Sequence, residues 1–598
     1  MDYDVIVVGG GHAGIEACLA SARIGFKTLL VTQSLDAIGR LSCNPAVGGL
    51  AKGNIVREVD ALGGQMGLLI DATMIQFRVL NRRRGPAVQA PRAQADKFSY
   101  SRLAKETLEK QDNLSIFMDT VVDILTDSDG RRACGVLTQR GISFTSKAVV
   151  LTTGTFMEGR IFIGEYDASA GRLGEEAAIG LGTALRKKGF NVGRLKTGTP
   201  ARVKYSSLNL DKMERQDGDD EVVPFSFMHE TLDRPSVPCW ITYTNEKTHK
   251  IIRDNMDRSP LYGGKIVGKG PRYCPSIEDK VVRFPDRERH QIFVEPEGLG
   301  TEEMYLNGLS TSLPEDVQLD FIHSIEGLED AQVTRPAYAV EYDYMDPIQL
   351  KPSLESKMLE NLFVAGQTNG TSGYEEAACQ GLMAGINACQ KIKGEEPLVL
   401  TRTEAYIGVL IDDLVTMGTK EPYRMFTSRA EYRLNLRHDT ADERLTEKGY
   451  EVGLATEERL EKLRDKMKDI ESIQDLISHR GFGGRNALEA LKSPEVTMDE
   501  LAEGIPEINL YPKSIRLALE LKVKYDGYIK RQDRQVDRFS KLEGIRIPEG
   551  FDYDAVEGIS SEAREKLKAV RPASVGQASR INGVRTSDMT VLLVYLRK

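Results

Sequence analysis

Residues 9–14 read Gly9-Gly10-Gly11-His12-Ala13-Gly14, a G-x-G-x-x-G turn between the apolar stretch Asp4–Val8 and a segment, residues 15–24, whose apolar positions keep helical spacing. In such a turn the first glycine permits the tight reversal and the second lets a pyrophosphate approach the backbone. The third lets helix and strand pack, and the helix N-terminus faces the phosphate charge. A chain that opens this way is expected to begin with a buried parallel strand of an α/β, dinucleotide-binding domain. The usual pattern places an acidic residue on the ribose about 20 residues on. Here the second strand, Lys27–Val31, runs into Thr32-Gln33-Ser34, with Asp36 beyond it. Gln33 or the Thr32 hydroxyl is expected to take that contact.

With 598 residues, the chain exceeds what one core usually holds. Further strands are expected at Val121–Leu125, Ala148–Leu151 and Asn361–Ala365. Residues 205–305 are rich in Pro, Tyr and charge and hold the only Trp, Trp240. They read as a domain inserted between two pieces of the first one. From about residue 400 the pattern turns helical, with long amphipathic stretches at Glu457–Ile473 and Ser514–Lys541. The expected fold is therefore α/β: a Rossmann-like FAD-binding domain (1–204 and 306–397), an inserted second α/β, NAD-binding-like domain (205–305) and an all-helical region (398–598).

Charge and cysteine usage narrow the function. The net charge is −9, so a nucleic-acid site has to be a local patch on an acidic body. The seven cysteines form no C-x-x-C pair, and no histidine cluster has ligand spacing, so no metal site is expected. No basic leader or membrane-spanning apolar run precedes the first strand, which makes a cytoplasmic protein without membrane attachment the expectation.

Two further segments specify the nucleotide. Ala148-Val-Val-Leu-Thr-Thr-Gly154 resembles the strand-ending motif of flavoproteins with two nucleotide-binding domains. Leu362-Phe-Val-Ala-Gly366-Gln367, then Asn369–Glu376 and a small-residue helix to Ala388, resembles their late flavin motif. Gln367 stands where most of these proteins carry Asp. Three motifs in this order point to FAD rather than NAD alone, with Gly9, Gly10, Gly11, His12, Ala13, Gly14, Gly154, Gly366 and Gln367 as cofactor contacts.

Several longer stretches resemble the tRNA uridine 5-carboxymethylaminomethyl modification flavoprotein family (MnmG/GidA). They are Ser42–Gly49, Pro91–Lys97, Gly193–Pro200, Gly270–Lys280, Leu306–Ser312, Phe426–Arg433 and Val575–Arg580. The resemblance implies a homodimeric FAD enzyme acting with a GTPase partner (MnmE). It would add a carboxymethylaminomethyl or aminomethyl group to carbon 5 of the wobble uridine of tRNA. Methylenetetrahydrofolate would be the one-carbon donor and NADH the reductant. It also implies Val122 as an FAD contact and Gly270, Pro271, Arg272, Tyr273, Glu278, Asp279 and Lys280 as an NAD-binding stretch. A Pro-rich active-site loop whose cations hold anions is the other reading of that stretch.

Carbon 5 of uracil becomes nucleophilic once something adds at carbon 6, and a thiolate suits that task. Cys43, with Lys52 nearby in sequence, and Cys274, between Arg272 and Lys280, are the candidate catalytic residues, since adjacent cations favour thiolate. Cys18, Cys379 and Cys389 sit in apolar helical patterns and read as core. For tRNA, Arg82, Arg83 and Arg84 form a basic run in loop sequence. Arg433 and Arg437, with Arg429, would share one face if that stretch is helical. The bland readings are a solvated face for the first set and an ion-pair network with Glu431 and Asp439 for the second. The C-terminal helices are expected to serve partner and tRNA interaction, or to cap the flavin domain.

Overall fold

A computed structural model describes residues 2–272 and 275–596. The first unit is built on a seven-stranded sheet. Asp2–Val8 lies between Thr28–Thr32 and Ser143–Leu151, both parallel to it, and Leu114–Met118 extends the parallel set beyond Thr28–Thr32. Leu362–Val364, more than 200 residues downstream of Ser143–Leu151, adds to that strand in parallel. Val121–Thr126 and Ala133–Thr138 complete the sheet as an antiparallel flap. Every strand expected from the sequence forms, within one or two residues of its place except that the one ending at Leu151 starts at Ser143, five residues earlier than expected. Val5, Ile6, Val7, Leu29, Leu30 and Val149 are fully buried, as near-continuous apolar runs in a sheet covered on both faces must be.

Two helices cover one face and set the geometry of everything else. The first, His12–Ile24, leaves the glycine turn; the second, Tyr374–Lys393, follows Leu362–Val364. They cross at backbone-to-backbone distance. A methyl group on Gly381 would sit 2.0 Å from the Ala13 carbonyl oxygen, and one on Gly385 2.7 Å from that of Ala17. The two glycines are one turn apart, which makes a seam in the second helix for the first to lie in.

The inserted unit carries its own core, including Val203, Trp240, Val294, Leu306 and Phe321. Its six-stranded sheet begins at Arg202–Lys204 and ends at Val333–Arg335, so it reaches beyond residues 205–305 on both sides. All its pairings are antiparallel. Among the described residues it therefore lacks the parallel strand–turn–helix cradle of residues 2–24. A five-stranded antiparallel sheet, including Val192–Thr199 and Tyr338–Met345, joins the two units.

The C-terminal part is helical apart from a two-residue hairpin, Gly481–Phe482 with Arg485–Asn486. Its first stretch is not separate. Tyr406, Leu410, Leu414, Met425, Leu436 and Leu445 are buried in the flavin-unit core. The Glu58 carboxylate accepts the N–H groups of Tyr406 (2.9 Å) and Ile407 (3.0 Å) at the start of the helix Tyr406–Met417. Two further small cores follow, one over residues 470–519 and one over 547–592.

The seam predicts a contrast between two glycines. Gly381→Ala forces a methyl into backbone and should destabilise the flavin unit by about 1–3 kcal/mol or more. Gly527→Ala, in the helix Lys513–Glu543 with open space around it, should be neutral or stabilise by about 0.5–1 kcal/mol. Thermal unfolding of the two variants checks this, and equal midpoints would refute the seam.

Candidate functional site: a dinucleotide cavity with a cysteine wall

A cavity of about 590 Å³ opens where the two helices begin. Gly9, Gly10, Gly11, His12 and Ala13 line it from one side, and Gly154, Gly366, Gln367, Gly373 and Tyr374 from the other. The glycines divide their work. Gly9 has φ +104°, and a Cβ there would stand 2.4 Å from the Thr152 carbonyl oxygen. Gly14 is pressed against the Gly9 carbonyl, 1.8 Å from where a Cβ would lie. Both are demanded by the fold. Gly11 is not: its φ is −78°, and a Cβ would meet nothing within 4 Å. The space beside Gly11 is the cavity itself.

Neither helix has a side-chain cap at its N-terminus, so the first N–H groups of both remain for a ligand. The acidic first turn of the second helix is held by partners of its own. Lys52 Nζ binds Glu375 (3.0 Å) and Glu376 (2.9 Å), and the N–H groups of Gly48 and Met425 bind the same two carboxylates. Burial alone would depress the Lys52 pKa, but the two carboxylates outweigh it and the net shift is upward. Burial, with a contribution from Arg172, pushes the His12 pKa down to about 3, so the imidazole is neutral. The ring packs at a tilt of 48° against Tyr374, centroids 4.5 Å apart, and its Nε2 is buried with no hydrogen-bond partner among the described residues. Two uncapped helix ends, a loop open at Gly11 and an unsatisfied neutral imidazole fit the pyrophosphate and polar ring edges of FAD. Gln33 and Thr32 line the cavity, whereas exposed Asp36 binds Lys105 (3.0 Å), as the absence of a well-placed acid implied. Val121 lines the cavity too; Val122, one residue on in the strand, instead packs against Gly180.

Cys43 lines the same cavity. Its Sγ is 3.0 Å from the Tyr305 hydroxyl, and its backbone N–H donates to the Tyr374 hydroxyl at 2.7 Å. The cation beside it is not Lys52, which the two glutamates hold. It is Arg202, whose Nη2 donates to the Ser42 carbonyl at 2.8 Å and whose guanidinium lies over the Tyr305 ring at 4.9 Å. Sequence reasoning does not single out Arg202, Tyr305 and Tyr374 as a set, although Tyr374 lies within the late flavin motif and the other two border family-like stretches. Only the docking of the inserted sheet brings Arg202 and Tyr305 to Cys43, whereas Tyr374 comes from the flavin unit's own second helix. Cys18, Cys379 and Cys389 are buried in helices, with thiols pushed up by burial.

The stretch after residue 269 divides. Pro271 lines the cavity and Arg272, next in sequence, is exposed; a Cβ added at Gly270 would stand 3.3 Å from Lys196 Cδ. Tyr273 and Cys274 lie outside the described residues. Glu278, Asp279 and Lys280 do not reach the cavity. Glu278 is buried and accepts the Ser312 N–H (3.1 Å), Asp279 accepts from the Tyr262 hydroxyl (3.0 Å), and Lys280 donates to the Gly308 carbonyl (2.9 Å). These contacts fix the helix Ile277–Arg283 to the inserted unit.

Of the arginines, Arg82, Arg83 and Arg84 are exposed, on a loop beside the helix Lys513–Glu543, where a Cβ added at Gly85 would lie 3.9 Å from the Tyr525 hydroxyl. Arg433 is exposed as well. Arg437 is not available to a polyanion: it is 3% exposed, and Asp439 holds its guanidinium at 2.9 and 3.2 Å. Two short 3-10 turns, Thr427–Arg429 and His438–Thr440, flank a non-helical turn between them, so Arg429, Arg433 and Arg437 share no helix face. For Arg437 the ion-pair alternative is the one realised.

This fold and cavity define the protein as a dinucleotide-binding flavoprotein with an inserted antiparallel unit and a helical C-terminal region. The family described as Glucose inhibited division protein A matches residues 4–396. Two tRNA modifying enzyme MnmG/GidA C-terminal patterns match residues 450–533 (helical domain) and 535–598 (helical bundle). The chain belongs to the MnmG/GidA family. A relative from Borrelia garinii, named tRNA uridine 5-carboxymethylaminomethyl modification enzyme MnmG, is 59% identical over 608 residues, covering 100% of this chain and 98% of its own. One of the same name from Geobacter sulfurreducens is 55% identical over 614 residues, with coverage of 100% and 98%. The crystal structure of Aquifex aeolicus GidA (form I) superposes with a TM-score of 0.93 at 49% identity, covering 100% of both chains.

The glycine roles predict that Gly11→Val folds but holds no flavin, because the side chain would fill the pyrophosphate space without disturbing the backbone. Flavin absorbance and thermal unfolding of the purified variant test this. Retention of full flavin occupancy would misplace the phosphate loop.

Proposed function

We propose that the protein is an FAD-dependent enzyme that adds a carboxymethylaminomethyl or aminomethyl group at carbon 5 of the wobble uridine of tRNA. Methylenetetrahydrofolate is the one-carbon donor, NADH the reductant, and a GTPase of the MnmE type the partner of a cytoplasmic homodimer. The observation that carries this reading is that Cys43 and the dinucleotide loop open onto one cavity, in a chain that matches relatives named for this modification along its whole length. FAD, when bound, supplies hydride transfer. The chain supplies the rest. Gly9–Gly14 and the two helix ends orient the dinucleotide, and neutral His12 and Gln367 meet it without adding charge. Cys43 presents a thiolate to carbon 6 of the base, with Cys274 as the second thiol of the reaction. Pro271 and Arg272 border the opening through which a nicotinamide reaches the flavin. The helices beyond residue 454 serve the GTPase and tRNA.

Nucleoside mass spectrometry of tRNA from a deletion strain tests the reading: loss of the wobble modification supports it, whereas loss of 5-methyluridine alone overturns it. In complementation, Cys43→Ser and Cys274→Ser should keep FAD and lose modification, because a hydroxyl is a far weaker nucleophile near neutral pH. Full activity of both variants would sink covalent catalysis.

Binding of tRNA should be local and electrostatic, as a body of net charge −9 repels polyanions at a distance. The Arg82/Arg83/Arg84→Ala triple variant should retain FAD and show a shallower dependence of log affinity on log salt. Each arginine–phosphate pairing that it abolishes should reduce the slope by about one unit or slightly less. An unchanged slope would make these arginines a solvated face.

A further inference from the structure

We propose that Tyr305 is the hydrogen-bond donor that holds Cys43 as a thiolate, an assignment that rests on Cys43 being the nucleophile of the reaction above. The two residues are 262 positions apart, and their side chains meet at 3.0 Å. Tyr305 sits on the strand Glu303–Asn307 of the inserted sheet, and Cys43 in the loop before Ala46–Gly48 of the flavin unit. The contact therefore exists only because the two units dock.

The surroundings favour negative charge on sulfur. Arg202 covers the Tyr305 ring and holds the Ser42 carbonyl, so its charge is fixed beside the loop that carries Cys43. Behind it, Glu297 takes bonds from both Arg202 and Lys97. Glu303 pairs with Arg335 (2.7 Å) and lies 3.9 Å from Lys97. Three cations thus face two carboxylates on that side. Among the described residues, other ionisable groups facing Cys43 are Tyr338 on the joining sheet and Tyr374 on the second helix; burial raises both phenols, which stay neutral. Glu375 and Glu376, next to Tyr374, are turned to Lys52. The Tyr374 hydroxyl already accepts the Cys43 backbone N–H. Tyr305 is the phenol whose hydroxyl lies 3.0 Å from Sγ. A hydrogen bond to an ionised acceptor is about twice as strong as one between neutral groups, so this contact favours thiolate over thiol.

The chemistry balances without a redox partner. The thiol proton leaves to solvent, a sulfur lone pair forms the bond to carbon 6, and the C5–C6 π pair shifts towards O4. On reversal that pair returns, and sulfur departs as the thiolate to which Tyr305 again donates.

Alkylation of Cys43 by iodoacetamide in the FAD-loaded protein, followed across pH by peptide mass spectrometry, reads the thiolate directly. The wild-type midpoint is expected below the value of about 8.5 for an unperturbed thiol. Tyr305→Phe should raise it by about one unit, slowing alkylation at pH 7 about tenfold with flavin absorbance unchanged. An unchanged midpoint in flavin-replete Tyr305→Phe overturns the assignment. If that variant loses flavin, Tyr305→3-fluorotyrosine decides: the more acidic phenol has to lower the midpoint, and any other result overturns the assignment. The readout does not depend on turnover. Retained tRNA modification in Cys43→Ser would therefore overturn the nucleophile reading alone, while the alkylation midpoint still judges the Tyr305 pairing.

Discussion

The contact on which the structure depends is the crossing of His12–Ile24 and Tyr374–Lys393 at Gly381 and Gly385. Glycine inside a helix costs about 0.8–1.0 kcal/mol relative to alanine, so two in one seam are a real expense in a free helix. The return is proximity. Only with no side chain at those positions can the second helix lie on the backbone of the first and bring its N-terminus level with the glycine turn. Two uncapped helix ends then face one cavity, and their partial positive charges add where an anionic dinucleotide is to lie. The packing of His12 against Tyr374 and the hydrogen bond between Tyr374 and the Cys43 loop both follow from that register.

A second constraint is that the buried charges are paired across long stretches of sequence. The helix Lys52–Ala61 is the centre of this. Its Lys52 meets Glu375 and Glu376; its Glu58 meets the start of Tyr406–Met417 and Arg444; its Asp60 meets Arg459 through both oxygens at 3.0 and 3.1 Å. Asp412 and Asp413, on Tyr406–Met417, extend the network: Arg402 binds both, and Arg580 binds Asp412 at 2.7 Å. Removing one partner of such a pair strands a buried charge at a cost of about 3–5 kcal/mol. The flavin unit and the helical region are thereby one electrostatic body. Arg580, in the stretch Val575–Arg580, and Arg429, in Phe426–Arg433, both reach the acidic pair on this helix, Arg580 through Asp412 and Arg429 at 3.7 Å from Asp413.

What is legible in the sequence is what short-range periodicity and backbone need encode. The strands of the parallel sheet, the glycine turn and the second helix all announce themselves through apolar spacing and glycine placement. Long-range pairing does not. The antiparallel order of the inserted sheet, and its reach from Arg202 to Arg335, depend on strands far apart in sequence. The packing of Tyr406–Leu454 into the flavin core is hidden because its amphipathic helices look like those of the separate bundles that follow. The arginine spacing at 429, 433 and 437 suggests one face only if the stretch is a helix, and the chain makes short turns there instead. Nearness in sequence points to Lys52 as the cation of Cys43, but two glutamates 323 and 324 residues away claim it.

The cavity's shape carries a last consequence for the proposed substrate. Cys43 shares a recessed space with the dinucleotide loop, so carbon 6 of a base can meet the thiol only if the whole base enters. A paired base would have to be extracted from its duplex, at a cost of a few kcal/mol for lost stacking and pairing. A wobble base stands in a single-stranded loop and avoids most of that cost. The body around the cavity is acidic overall, so the binding energy that draws the loop in has to come from a few exposed arginines near the phosphates, not from a long-range field. On the proposed reading, selection by this site is then steric before it is chemical: a thiolate could add to any uracil, but a base already turned out of a helix reaches it at the lowest cost.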